Sequence, residues 1–435
     1  MPNKFSVSLF INGEKIAGDA TAASAGEIAV LAGVNVHWGR ENTTEQPGPS
    51  TMAATLGLGY KSREWSEKLR IGSPIRLSTK GEYTTDSGEH IEQEVDVFNG
   101  RITQIDVQAD NAFTSLAKIS AADWLASAAN TIIGLPPRPA ETAQDRLNAY
   151  LEAANLGIKT VWDDGITATL ASRDVDAQPL DSLISTIATS CDAVMWPITK
   201  QDGPYLRFEN VDQRASLKST TLEDGKASIG ENIANLDVLP AKAIMKNPVT
   251  FSRTPDGLTT LISVRWIEET TDETGKPVKT DRTEHLQNTR LEKIYGRRSI
   301  SVSTELNNHI QASVIASKLS RRVVGETWRV NGLTWIGKVG PVPLTLDLLD
   351  ESKRSASPYA IKHLETWAPK ETLVIFVEGG TYRWDGNHWK LELNASTPPT
   401  GAGKSATWSD PPPSYTWDVF TNLSWTNMQG TQIAL

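Results

Sequence analysis

The sequence predicts an α+β chain that is mainly β, with helix-bearing units set between β segments. Three observations carry this. Residues 1–120 are rich in alternating apolar and polar positions, as in "HIEQEVDVFNGRITQIDVQ". Period two of this kind puts one face of a strand on a core. After residue 120 the spacing changes to helical, and from about 238 the alternation returns. At 435 residues the chain exceeds one ordinary core, so roughly two to four domains are expected.

Each element follows from local chemistry. "SPIRLST" reads as a strand, and "YTTDSGEH" as a turn through Asp86 and Gly88. Asn99-Gly100 lies between two alternating runs, and that dipeptide favours the type I′ turn of a two-residue hairpin. A hairpin is therefore expected there. "SAADWLASAANTIIG" has a Ser/Asp start and apolar Trp124, Leu125 and Ala128 at helical spacing. "ETAQDRLNAYLEAANLG" repeats Ala143, Leu147, Leu151 and Ala154, with Gly157 as the expected C-cap. "QPLDSLISTIATSC" places Leu180, Leu183, Ile184, Ile187, Ala188 and Cys191 on one face. "DAVMWPITKQDGPYLRFEN" reads as strand, Asp-Gly turn, strand, with Trp196, Tyr205 and Phe208 as core candidates.

In the second half, Ile262, Val264 and Trp266 alternate, and Asp272 to Lys276 reads as an exposed hairpin tip. A helix over roughly 305–322 would bury Ala312, Ile315, Ala316 and Leu319. Asp385-Gly386 joins two apolar runs as a further hairpin. "STPPTGAGKSATWSDPPPS" is a Pro/Gly/Ser-rich linker, and Trp408, Trp417 and Trp425 follow at intervals of nine and eight.

Composition narrows the function classes. Hydrophobic residues at 39% and charged residues at 22% describe a foldable chain. A net charge of −9 argues against a surface that wraps nucleic acid, which would carry a basic stripe. One cysteine, Cys191, cannot form an intrachain disulfide, which suits a reducing cytosol. The start lacks the apolar core of a signal peptide, and no run approaches the length of a membrane span. Eight of the fourteen tryptophans lie beyond residue 320. Burial in small β units explains them most simply; exposure would suggest contact with a partner or a glycan.

No catalytic constellation stands out. "GAGKS" at 401 lacks the upstream glycine and strand of a phosphate loop. The six histidines sit at 37, 90, 285, 309, 363 and 388, with no metal-ligand spacing. Asp163-Asp164 beside Trp162 reads as a polar turn before Gly165 rather than a carboxylate pair. Cys191 on an apolar face reads as a buried, inert thiol. No catalytic residue, cofactor or metal is expected.

The order of the pieces is more informative than any one of them. "VHWGRENTTEQPGPSTMAATLGL", "FNGRITQIDV", "TAQDRLNAYLEAANL", "PLDSLISTIATSCDAVMWPITKQDGPYLRF", "YGRRSISVSTEL" and "FVEGGTYRWDGNHWKLELNAS" occur in sequence over residues 30–396. Together they resemble the minor tail proteins of phages infecting actinobacteria, similar in plan to the central baseplate hub of long-tailed phages. The resemblance implies two tail-tube-like β-barrel domains, each with an inserted smaller domain. The boundaries would be 1–118 with 206–239 for the first barrel and 119–205 for its insertion. The second barrel would take 240–395, with a helical excursion near 300–325, and 396–435 would be a linker and Trp-rich docking segment.

The function implied is a non-enzymatic homotrimer at the distal tip of the virion tail, assembled in the host cytoplasm. Its partners would be the distal tail protein, the tape-measure protein and other tip proteins, with phage DNA passing through unbound. An acidic ring would avoid trapping that DNA. The interface residues implied are Pro47 and Pro49, stiffening a loop that reaches a neighbouring ring, and Trp408, Trp417 and Trp425, docking on a neighbouring subunit or tip protein. Two rival readings stand beside it. One is a glycan-binding receptor module with Trp384, Trp389, Trp417 and Trp425 as platforms. The other is a wall-degrading tail enzyme.

Overall fold

The described residues up to 122 supply seven strands: β1 (Phe5–Ile11), β2 (Glu14–Gly18), β3 (Ala29–Gly39), β4 (Thr51–Leu58), β5 (Pro74–Thr84), β6 (His90–Ala109) and β7 (Ser115–Ala122). The computed structural model describes residues 4–18, 29–41, 45–58, 65–85, 87–109, 115–134, 137–173, 177–211, 222–223, 226–227, 238–240, 243, 250–252, 259–323, 329–355, 357–362, 368 and 372–396. The pairings run β3–β2–β1–β5–β6–β7–β4, and β4 pairs back onto β3, so the hydrogen-bonded path closes on itself. Alternation drives this closure. Phe5, Val7, Leu9 and Ile11 of β1 all face one core, while the residues between them stay half-exposed.

The expected hairpin at Asn99-Gly100 is not formed. β6 runs unbroken through both residues, pairing with β5 as far as Arg101 and with β7 from Arg101 onward. The reversal comes earlier, at 85–89, where Gly88 takes φ +85° and the Thr85 N–H donates to the Glu89 carbonyl. Gly100 answers a different need. A Cβ there would sit 2.3 Å from the carbonyl oxygen of Ala122 and 2.7 Å from the Phe98 ring. Asn-Gly therefore marks a close backbone approach, one of the uses of glycine inside a strand. Gly100→Val should destabilise the chain by about 1–3 kcal/mol through overpacking, read as a lower denaturation midpoint. An unchanged midpoint would sink the close-approach account.

Next come α1 (Trp124–Ala129), α2 (Ala143–Ala154), β8 (Lys159–Trp162), α3 (Leu180–Ser190), β9 (Ala193–Lys200) and β10 (Gly203–Asn210). Asp123 caps α1 by accepting from the Leu125 N–H, and Thr142 caps α2 by accepting from Asp145. The left-handed cap of α2 is Asn155 (φ +50°), with Gly157 two residues further on. β9 and β10 form the expected hairpin over Asp202-Gly203, and β8 adds to β10 in parallel.

The second half contributes β11 (Leu261–Thr271), β12 (Pro277–Gln287), α4 (Thr289–Tyr295), β13 (Ser299–Ser303) and α5 (His309–Val323). β11 and β12 turn over at 272–276, where the Asp272 carboxylate accepts from the N–H groups of Thr274 and Lys276. Then follow β14 (Leu333–Ile336), α6 (Val342–Leu349), β15 (Ser357–Lys362), β16 (Leu373–Trp384) and β17 (Trp389–Ser396). Asp385 and Gly386 (φ +90°) close the β16–β17 hairpin. Among the described residues the chain is mainly β, 54% strand against 21% helix.

Two cores organise these elements. The first joins β1–β7 to Leu333, Trp335, Leu346, Tyr382, Trp384 and Trp389 of the second half. The second joins the buried faces of α1, α2 and α3 to Ile262, Val264, Trp266, Leu306 and Ile315. The described residues 259–323 thus pack with α1, α2 and α3 rather than with the β14–β17 sheet. β9 is the wall between the cores. Val194, Trp196 and Ile198 face the first, and Ala193 and Met195 face the second. A strand buried on both faces reads as a continuous apolar run, and "AVMWPI" is that run.

Candidate functional site: the joint between the halves

The segment "HWGRENTTEQPGPST" ties three parts of the molecule together. Its first contact is strand to strand. β3 offers one edge to β4 and shares the other between β2 and β16, so residues 34–39 pair antiparallel with 379–384. One continuous sheet therefore runs from the first half into the second. The crossing is built from glycine. Gly39 (φ +83°) and Gly379 (φ +149°) lie so close that a Cβ on Gly39 would stand 2.2 Å from the Glu378 carbonyl oxygen and 2.4 Å from the Gly379 Cα.

Arg40 then locks the crossing. Its N–H donates to the Glu378 carbonyl at 2.9 Å, and its Nε and Nη2 donate to Glu378 Oε2 at 3.0 and 2.9 Å. Nη1 reaches the Glu45 carbonyl, the guanidinium lies 5.9 Å from the Trp196 ring centroid, and Ser396 donates to Glu378 Oε1 at 2.6 Å. Both charged side chains are 4% exposed. A pair so buried is held by its added hydrogen bonds as well as by charge.

The rest of the loop faces the unit that carries α1, α2 and α3. Gln46 donates to the Ala193 carbonyl at 2.9 Å and accepts from the Met195 N–H at 3.0 Å, pairing its amide with the wall strand β9. Pro47 is buried and Pro49 half-buried. With Leu125 and Met195 they line a cleft of about 310 Å³ against α3. The described part of this loop thus lies against β9 and α3 of the same chain. Trp408, Trp417 and Trp425 lie outside the described residues.

Ser50 reaches a buried ionic cluster. Its N–H donates to Asp123 Oδ2 at 2.8 Å, and its hydroxyl accepts from Arg354 at 3.2 Å. Arg354 also donates to the Val97 carbonyl, and Asn99 donates to Glu351 Oε2 at 3.0 Å. Asp123, Glu351 and Arg354 are 3%, 1% and 3% exposed. One guanidinium thus faces two buried carboxyls. Burial outweighs their hydrogen bonds and the attraction of Arg354, raising Asp123 to about 6 and Glu351 to about 7. Beside the cluster, Trp38 Nε1, Tyr382 Oη and Arg354 Nε make no hydrogen bond within good geometry among the described residues, and these residues line a cavity of about 10 Å³, the size of one water.

A pH dependence follows. Both carboxyls hold protons more tightly folded than unfolded, so their contribution is complete below about pH 4. It is lost as pH rises through about 6 and about 7. Melting temperature should therefore fall between pH 5 and pH 8. Asp123→Asn with Glu351→Gln should flatten that slope; an unchanged slope in the double variant would contradict the assignment.

Arg146 carries a second link that sequence reasoning missed. It is fully buried on α2, with Nε on Glu141 Oε1 at 3.0 Å and Nη1 on Glu305 Oε2 at 3.3 Å. Nη2 donates to the carbonyls of Pro139 and Ala171. Glu305 also pairs with Arg173, and Glu269 accepts from the Ser172 N–H at 2.8 Å, so two carboxylates of the second half bind the unit that carries α1, α2 and α3. The signal was there: Arg146 shares the helical face of Ala143, Leu147, Tyr150 and Leu151.

Other candidates resolve as structure. Trp384 and Trp389 are 2% and 0% exposed, and the Trp389 indole donates to Thr79 at 3.1 Å. As described they cannot serve as surface platforms for a glycan. Asp163 accepts from Arg207 and from the Asn210 N–H, at a turn where Gly165 takes φ +78°. Burial pushes the Cys191 thiol up to about 12, which keeps it protonated. Among the described residues no group of three or more His, Cys, Asp or Glu is placed to hold a metal, and no helix is long and apolar enough to cross a membrane.

No protein-family model and no curated protein matches the sequence. Solved structures do match. The chain is similar to the 43 kDa tail protein of prophage MuSo2 from Shewanella oneidensis, with TM-score 0.54 and 10% identity over 90% of this chain and 100% of that one. It is also similar to a tail protein from Neisseria meningitidis MC58, with TM-score 0.53 and 10% identity over 90% and 96% of the two chains. At such identity the likeness is one of fold, and the fold of this chain is that of these tail proteins.

Proposed function

We propose that the chain is a structural hub of a phage tail tip, of the kind its sequence resembles in phages of actinobacteria. Three copies would adapt the sixfold tail tube to a threefold tip. Each copy would present two tail-tube-like barrels with inserted smaller domains. The observation that carries this reading is the sheet. A closed ring of seven strands continues, through β3 and β16, into a second set of strands from the other half. On this reading one chain would offer two β units to a neighbouring ring. The buried Arg40–Glu378 pair and the glycine crossing suit a part that must not flex between those units.

The role is non-enzymatic. The distal tail protein and the tape-measure protein would be its neighbours, and DNA would pass without specific contact. A net charge of −9 suits a wall that must not hold phosphate. Quantitative mass spectrometry of purified particles tests this. Three copies per tail are expected, and six copies, or absence from the particle, would contradict it.

A further inference from the structure

α4 buries none of its seven residues within the described chain, and its Ile294 is 63% exposed. A short helix draws most of its stability from packing an apolar side against something else. Arg290, Lys293 and Ile294 stand at i, i+3 and i+4, so they share one side of the helix, and Arg297 follows just beyond its end. Residues 289–298 hold four basic side chains and one acidic one, Glu292, which is engaged by Gln287 and Arg297. The exposed isoleucine therefore sits in a cationic stripe.

A surface of opposite sign lies in the first half. β5 pairs with β1 as far as Gly81, and β6 pairs with β7 from Arg101 onward. Between these limits the β5–β6 hairpin continues, among the described residues, as two strands. Residues 82–94 hold five acidic side chains and neither lysine nor arginine. Glu82 and Glu92 are direct cross-strand partners with side chains 58% and 53% exposed. Like charges set opposite each other destabilise a sheet. Lys80 reaches Glu92, Arg76 reaches Glu94 and Asp96, and His90 stands 3.8 Å from Glu82. Glu82, Glu92, Glu94 and Asp96 still outnumber Arg76 and Lys80, so added cations would relieve the face.

We propose that these two surfaces meet between copies of the chain. The α4 stripe of one copy seats on the β5–β6 hairpin of the next, with Arg290, Lys293 and Arg297 beside Glu82, Glu92 and Glu94. The methylene stems of Lys80 and Glu82 cover Ile294, as long charged side chains do. A second copy is the occupant because the charges match in sign and because of where the surfaces lie. One is in the first half and the other in the second, so the contact runs head to tail, the kind that closes into a ring when its rotation allows. A threefold ring of six β units needs a first-half surface to meet a second-half surface of the next copy. The inference rests on the hub reading for the number of copies, and the two can fail separately.

Zero-length carbodiimide coupling, which joins a lysine amine to a touching carboxylate, tests it on the full chain, both purified and concentrated and in assembled tails. A link from Lys293 to Glu82, Glu92 or Glu94 is expected in dimer and trimer bands, and it should weaken as salt is raised. The link confined to the monomer band, its absence from both samples, or links from Lys293 to another tail protein in its place would overturn the proposal. Arg290→Glu with Lys293→Glu should leave the melting temperature unchanged, these side chains being exposed, and should cut incorporation into tails by about tenfold or more, since like charges set against each other weaken an interface. Adding Glu82→Lys and Glu92→Lys should restore most of it. Incorporation that the first pair leaves unchanged, or that the reversed charges fail to restore, would also overturn the contact. Copy number separates the two readings. Six copies with the link present would sink the hub and keep the contact, and three copies without the link would do the reverse.

Discussion

Arg40→Met should destabilise the folded chain by about 3–5 kcal/mol, the cost of leaving a buried charge without its partner. Glu378 would stay buried and keep the Ser396 hydroxyl but lose the Arg40 guanidinium. The Glu45 carbonyl would lose its donor as well. Chemical denaturation of the single variant measures the loss. Arg40→Met with Glu378→Leu should recover much of it, because an apolar pair of similar volume removes the stranded charge. A single variant that unfolds at the wild-type midpoint would show that the pair does not hold the halves together.

Gly39→Ala should be comparably damaging by a different route. Holding a side chain at φ +83° costs about 1–3 kcal/mol. The added methyl would lie 2.2 Å from the Glu378 carbonyl oxygen and 2.4 Å from the Gly379 Cα. Those are backbone atoms of the paired strand, so relief requires β3 and β16 to separate, adding about 1–3 kcal/mol of overpacking. Gly13→Ala is the control. Gly13 has a similar φ of +81°, with nothing within 4 Å of the added carbon. The difference between the two melting temperatures isolates the close approach, and equal losses would argue that no tight crossing exists at Gly39.

What the sequence made legible was local. The hairpins at Asp202-Gly203 and Asp385-Gly386 and the helical faces of α2, α3 and α5 form as read, because each depends on neighbours within a few residues. The unbroken apolar run of β9 was visible too, although nothing in it says that its alternate residues serve two cores. Asn99-Gly100 misled because the same dipeptide serves a turn and a close backbone approach, and only the position of Ala122 decides between them. Trp384 and Trp389 could not be placed in the core before β16 was known to be sandwiched between β3 and β17.

The joint was the least legible part. Arg40 and Glu378 are separated by 338 positions, and Arg354 meets Ser50 across 304. No periodicity links residues so distant. Within residues 39–50 each piece has its own partner. Gly39-Arg40 meets Glu378 and Gly379, Gln46 meets β9, and Ser50 meets Asp123 and Arg354.

Electron cryo-microscopy of the intact tail tip tests the hub reading most directly. The account predicts three copies around a threefold axis. In each copy the β1–β7 ring and the β14–β17 strands should lie side by side around one lumen, giving six β units beneath the sixfold tube. A single copy, a sixfold ring of copies, or a position on the outside of the tip away from the lumen would contradict it.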